Sequence, residues 1–230
     1  MTEPLVLIFD VNETLLDLDT LAPEFSRLFG DESVLREWFG QVILYSQSLT
    51  LCNEYANFGE IGGAVLRMLG QIKNVVISDQ DTDNLRRAVS SMPAHTDVHA
   101  SLKQLKEAGF KMVTLTNNPS ATALSQLSRA GIAAYFDRQF SIDDVVRRYK
   151  PARECYQWVA DEMKTDAERC CLIACHTWDI LGAAAAGMES ILVMRAGNAP
   201  LPVGRQATFV ADNLISATRW ILAKSRSPAP

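Results

Sequence analysis

Leu5-Val6-Leu7-Ile8-Phe9-Asp10-Val11-Asn12-Glu13-Thr14 is the stretch that decides how this chain is read. Five apolar residues in a row, cut off by an aspartate, have the pattern of a strand buried on both faces, as in a parallel sheet. Similar runs recur at Lys111–Thr116, 170–175 and 190–194, with a weaker one at 208–211. Helical patterns stand between them. Residues 98–108 carry Leu102, Leu105 and Ala108 at helical spacing, and 120–130 carry Leu124 and Leu127. A helix over 152–164 is opened by Pro151, and one over 179–186 is closed by Gly187. This alternation predicts an α/β fold with a doubly wound parallel sheet.

Residues 17–95 break the alternation. They show helical periodicity and almost no strand pattern: Phe25, Leu28 and Phe29 share one face, Trp38, Val42 and Tyr45 a second, and Ile61, Val65, Leu66 and Leu69 a third. An all-helical insert after the first strand is expected, with 1–16 and 96–224 forming the core and 225–230 a frayed tail. The composition fits this layout. With 230 residues, 48 % hydrophobic and 21 % charged, the chain has room for one large domain, or a core plus a smaller insert. The net charge of −5 argues against a broad nucleic-acid surface but leaves a small anionic substrate open. No apolar run approaches the ~18 residues of a membrane span, and residues 1–4 lack the basic start of a leader, so no membrane association is expected. The five cysteines are odd in number, and three of them cluster in an apolar run. Reduced, packed thiols in the cytoplasm are expected; adjacent Cys170 and Cys171 on a strand point to opposite faces and do not suit one tetrahedral zinc.

In open parallel sheets, ligands bind beyond the carboxyl ends of the strands. The polar residues that end the strands are Asp10, Thr116-Asn117-Asn118 and His176, while Lys150 and Asp179 stand at helix starts. The topology gathers them at one edge.

Asp10 with Thr14, Thr116-Asn117, Lys150-Pro151 and Asp179, in that order, resemble the haloacid dehalogenase superfamily, and within it the L-2-haloacid dehalogenase branch, over about 5–214. Tyr55-Ala56-Asn57-Phe58, Tyr149-Lys150-Pro151 followed by Tyr156, and Trp178-Asp179 are similar to further segments of that branch. The resemblance implies a Rossmann-like core under a helical cap. It implies that Asp10 is the nucleophile, hydrogen-bonded by Thr14, with Lys150 keeping it ionised and Asp179 orienting Lys150 or the water. Thr116 and the backbone N–H groups of Val11 and Asn12 would bind the substrate carboxylate, Asn117 and Phe58 would line a halide cradle, and Tyr156 and Trp178 would contact substrate. The implied ligands are a small halogenated carboxylic acid and halide, with no metal or organic cofactor, in a homodimer. The chemistry is reasonable: a carboxylate is a weak nucleophile, but one held in line and desolvated displaces halide from carbon.

Phosphatases of the superfamily place a second aspartate where this chain has Asn12, and a metal-holding acid where it has Cys175; neither residue suits phosphoryl transfer. The chain also departs from the dehalogenase branch. The cap arginine has no counterpart: its place falls near Leu49, and residues 41–66 contain no arginine, while Arg36 and Arg67 flank the span off the expected spacing. Ala174, Cys175 and His176 replace the usual serine and asparagine. His176 is expected to act as general base for water, oriented by Glu13. A phosphatase and a non-catalytic small-anion binder are the alternatives.

Overall fold

A computed structural model describes residues 5–226. Six parallel strands form one sheet: β1 (Val6–Phe9), β2 (Lys111–Thr116), β3 (Arg138–Ser141), β4 (Cys170–Ala174), β5 (Glu189–Val193) and β6 (Phe209–Ala211). Their spatial order is β3-β2-β1-β4-β5-β6. β1 is buried along its whole length because both neighbours pair with it; Phe9 stands opposite Thr114 of β2 and Ile173 of β4. The chain leaves β1 toward one edge, then returns to β4 and winds toward the other. The crevice of such a sheet opens where the winding reverses, at the carboxyl ends of β1 and β4. Asp10 follows β1 there, and its backbone N–H still donates to Ile173 O at 3.0 Å.

Five α-helices lie between β1 and β2, the first four of them in the inserted stretch: α1 (Ala22–Phe29), α2 (Val34–Leu51), α3 (Phe58–Ile72) and α4 (Asp79–Val89). Capping boxes fix two of their starts, Asn57 with Glu60 on α3 and Ser78 with Asp81 on α4. α2 and α3 pack closely: Trp38 Nε1 donates to Gly62 O at 2.9 Å, and a Cβ on Gly62 would stand 3.3 Å from the Trp38 ring. α5 (Val98–Glu107), α6 (Ser120–Arg129), α7 (Arg153–Glu162), α8 (Thr177–Ala185) and α9 (Leu214–Arg226) accompany the sheet. Among the described residues no helix is long and apolar enough to cross a membrane. The five cysteines are free thiols, Cys52 exposed and the other four buried.

Several expectations need correction. β3 has no apolar run; as an edge strand reading Arg-Gln-Phe-Ser, it buries only its last two residues. The helix expected over 152–164 spans Arg153–Glu162, and Pro151 lies in the turn before it rather than in its first turn. Ser225 and Arg226 belong to α9, not to a tail, and 227–230 lie outside the described residues. Of the aromatic residues of α2, Trp38 and Phe39 are buried and Tyr45 is exposed.

Candidate active site

Asp10 is 5 % exposed and Lys150 1 %. Burying either charge alone costs several kcal/mol, so each must be paired. Lys150 Nζ donates to Asp10 Oδ1 at 2.8 Å, to Asp179 Oδ2 at 2.6 Å and to Leu115 O at 3.1 Å, which uses all three of its protons. Thr14 Oγ1 donates to Asp10 Oδ2 at 2.6 Å and accepts from Cys175 N at 3.0 Å, tying the β1 loop to the β4 loop. Burial pushes the Asp10 carboxyl up, but the Lys150 ammonium and His176 outweigh it and hold Asp10 well below the usual carboxylate range. Burial likewise disfavours the Lys150 ammonium, and the Asp10 and Asp179 carboxylates more than restore it.

His176 caps the start of α8 and lies between two carboxylates. Its Nε2 is 2.8 Å from Glu13 Oε2, and its Nδ1 is 3.3 Å from Asp10 Oδ2, without the alignment of a hydrogen bond. Trp178 stacks on its ring at 4.7 Å, and Phe39 of α2 covers it at 5.7 Å. Burial opposes a charged imidazole, yet the surrounding Cys175, Asp10 and Glu13 groups raise its proton affinity well above the ordinary value. The two carboxylates therefore favour the protonated ring while Asp10 is ionised.

Glu13 adopts φ 64°, a left-handed conformation that a residue with a Cβ takes only when its surroundings hold it there. Asn198 Nδ2 donates to its Oε1 at 2.9 Å, Arg36 of α2 pairs with the same oxygen, and His95 Nε2 meets its backbone carbonyl at 2.9 Å. Arg195 clamps the neighbouring Thr14 carbonyl at 2.9 Å while bridging to Asp97. Arg36, Asn198, His95 and Arg195 were not anticipated. Asn198 and Arg195 lie in the loop after β5, where the strand-end rule would have found them; Arg36 depends on how α2 docks.

The remaining expected residues divide. Val11 and Asn12 follow Asp10 in the loop, and Thr116, at the end of β2, accepts from Asn118 N at 3.1 Å. Asn117 Oδ1 accepts from Lys150 N at 3.2 Å. Asn12 Oδ1 accepts from Gln126 Nε2 at 3.1 Å and Asn118 Nδ2 at 3.3 Å. Phe58, at the start of α3, packs on Tyr149, whose hydroxyl donates to Ala56 O at 2.6 Å. Tyr156, expected against substrate, instead donates to Asp179 Oδ1 and stands behind it, fully buried. The α2 residue over the site is Phe39, not Leu49; residues ten apart on a helix are almost three turns apart.

Asp10, Cys175 and His176 bring three donor atoms within 4.8 Å of one another. A thiol and an imidazole suit soft or borderline ions and fit poorly with Mg²⁺, which prefers oxygen ligands.

A buried, ionised aspartate with a lysine fixed on it, at the switch point of a parallel sheet, defines an α/β enzyme that works through a carboxylate. Comparison makes this specific. A profile described as haloacid dehalogenase-like hydrolase matches residues 5–187, and the chain belongs to that family. (S)-2-haloacid dehalogenase 4A of Burkholderia cepacia is 26 % identical over 195 residues, covering 84 % of each chain. (S)-2-haloacid dehalogenase 1 of a Pseudomonas species is 26 % identical over 190 residues, covering 82 % of this chain and 83 % of the relative. The L-2-haloacid dehalogenase of Xanthobacter autotrophicus, solved with chloropropionic acid covalently bound, shares the fold with a TM-score of 0.87 at 20 % identity, over 98 % of this chain and 100 % of that chain.

Proposed function

We propose that the chain is a hydrolytic dehalogenase of short 2-haloalkanoic acids, converting an L-2-haloacid and water to the D-2-hydroxy acid and halide through an ester on Asp10. The observation that carries this is the isolation of Asp10: buried, held ionised by Lys150, and oriented by Thr14 at 2.6 Å. In the first step an Asp10 oxygen attacks the substrate Cα from the side opposite the halogen. The C–O bond forms, and halide leaves with the C–X electron pair. Thr116 and the backbone N–H groups of Val11 and Asn12 hold the substrate carboxylate, and Asn117, Phe58 and Trp178 surround the halide and Cα.

Esterification removes the negative charge of Asp10. The imidazolium of His176 loses one of its two carboxylate partners and becomes more acidic; its Nδ1 proton, which faced Asp10, leaves to solvent with the halide, while Glu13, 2.8 Å from Nε2, holds the remaining proton on Nε2. Neutral His176 then accepts a proton from water through Nδ1 as the water attacks the ester carbonyl carbon. Lys150 stabilises the oxyanion, and its collapse returns Asp10 and releases the hydroxy acid. One proton leaves per turnover, as the overall reaction requires.

Phosphoryl transfer is disfavoured on geometry. Asn12 carries no acid proton, and its oxygen is occupied by two amides. Residues 17–95 serve as the cap over a core of 1–16 and 96–224, with Arg36 to Glu13 as a cap-to-core contact. We further infer a cytoplasmic homodimer. Five free thiols fit a reducing compartment, and Leu44, Tyr45 and Leu51 are exposed at 51 %, 41 % and 81 % along α2, as a helix–helix contact requires.

The test is halide release from L- and D-2-chloropropionate, chloroacetate and fluoroacetate, with p-nitrophenyl phosphate as control. Halide from the L-acid without added metal is expected, and Asp10→Asn should abolish it, a loss of a thousandfold or more by order of magnitude. Mg²⁺-dependent phosphate release with no halide would instead identify a phosphatase, and neither product a non-catalytic binder.

A further inference from the structure

A cavity of about 330 Å³ lies between the helical layer and the core. Asn12 and Asn118 line it on the core side, next to the Asp10 loop, and Phe39 and Phe58 on the helical side. Beyond them one wall is Trp38, Val42, Leu85, Val89 and Met92, and the lining also includes Asn57, Glu60, Thr82 and Arg86. A cavity of about 150 Å³ lined by apolar side chains already holds a benzene ring, and 2-chloropropionate has no more heavy atoms than benzene. A three-carbon haloacid therefore leaves more than half of this space empty. Apolar wall left against water in this space forfeits the burial that a larger substituent would gain. A second observation points the same way. The α2 residue over the site is Phe39, with Trp38 in the cavity wall beside it, both buried, and residues 41–66 supply no arginine. At this point α2 offers apolar surface instead of charge, with Glu60 and Arg86 lining the cavity from α3 and α4.

Resting on the dehalogenase reading above, we propose that this cavity receives the substituent on the halogen-bearing carbon and extends the substrates to 2-haloacids with an apolar substituent as large as a butyl chain or a phenyl ring. The carboxylate and halogen stay at the Asp10 end, and the substituent runs past Phe39 and Phe58 toward Val42, Leu85 and Val89. Burying each added methylene is worth about fourfold in binding, and the gain is realised in kcat/KM because the substituent stays buried in the transition state.

The experiment measures halide release from 2-bromopropionate, 2-bromobutyrate, 2-bromohexanoate and 2-bromo-2-phenylacetate, with the wild type and with Val42→Phe and Val89→Phe, which fill the cavity from two different helices. The expected result is a rise of at least tenfold in kcat/KM from propionate to hexanoate, and a fall of at least tenfold in that ratio in either variant that retains the wild-type circular dichroism spectrum. Halide release from propionate that is flat or declining with chain length would overturn the proposal and leave the dehalogenase reading standing. A rise with chain length that both folded variants preserve would also overturn it, because the substituent would then lie elsewhere. No halide from any acid would overturn the dehalogenase reading and this inference with it.

Discussion

His176 and Glu13 are the residues whose behaviour separates this site from a generic buried ion pair. Asp10 and Glu13 both favour the protonated ring of His176, so removing the charge of Asp10 should lower the proton affinity of the imidazole. Asp10→Asn imitates the neutral ester in this respect. Imidazole resonances followed by NMR across pH should titrate well above 6.5 in the wild type and at lower pH in that variant; an unchanged titration would contradict the proposed release of the base. His176→Ala should still form the ester and release halide in one burst, with steady turnover reduced by about a hundredfold to ten-thousandfold. Undiminished turnover in that variant would remove His176 from the mechanism. Stability should also follow pH with a defined sign. The raised proton affinity of His176 contributes stability that is fully present below 6.5 and is lost as pH rises through the higher folded value. The lowered affinities of Asp10 and Glu13 contribute stability that is present above 3.8 and 4.5 and is lost as pH falls through the lower folded values. A plot of Tm against pH should therefore fall on both sides of a plateau, and His176→Asn should remove the His176 part of the alkaline fall and leave the part at higher pH that belongs to Lys150. Asp10, His176 and Asp179 were legible because each follows a strand or opens a helix at one sheet edge, and Thr14 and Lys150 through the motif resemblance. Tyr156 was misplaced, since a sequence does not show whether a tyrosine stands in front of a carboxylate or behind it.

Two glycines show how elements are held at the spacing the site needs. Gly182, inside α8, lets Tyr156 of α7 reach Asp179; a Cβ there would stand 2.5 Å from the Tyr156 ring and hydroxyl. Gly182→Ala should cost about 1–3 kcal/mol in denaturant unfolding and lower kcat, because Tyr156 must move and its hydrogen bond to Asp179 with it. Gly197, at φ 81°, lies where a Cβ would stand 2.9 Å from Arg36 Cζ. Its alanine variant should lose about 1 kcal/mol from the backbone alone. The main helices and strands were legible from hydrophobic period. β3 was not, because it lies at the sheet edge and needs little apolar surface, and neither was α4, of which only Thr82 and Leu85 are buried. Which α2 residue faces the site was misjudged by counting along the sequence. Helical phase decides it, and that phase places Phe39 over His176 and Arg36 on Glu13.

At the scale of the whole molecule, charge is distributed so that a negative protein holds a small anion. The overall −5 coexists with a site in which Lys150 and the imidazolium of His176 face Asp10, and Arg36 is spent on Glu13 and Asp19. The exposed apolar surface of α2 belongs to the same scale. Sedimentation of the wild type should give a dimer, and Leu51→Lys with Leu44→Lys should give a monomer that still unfolds cooperatively; a monomeric wild type would remove the dimer from the account. The central claim is that the oxygen delivered to substrate comes from Asp10. A single turnover with excess enzyme in heavy-oxygen water, followed by mass spectrometry of the hydroxy acid and of the peptide containing Asp10, tests it most directly. The account predicts an unlabelled product hydroxyl and heavy oxygen in the Asp10 carboxylate. A labelled product hydroxyl with an unlabelled Asp10 would show that water attacks the substrate directly, and would contradict it.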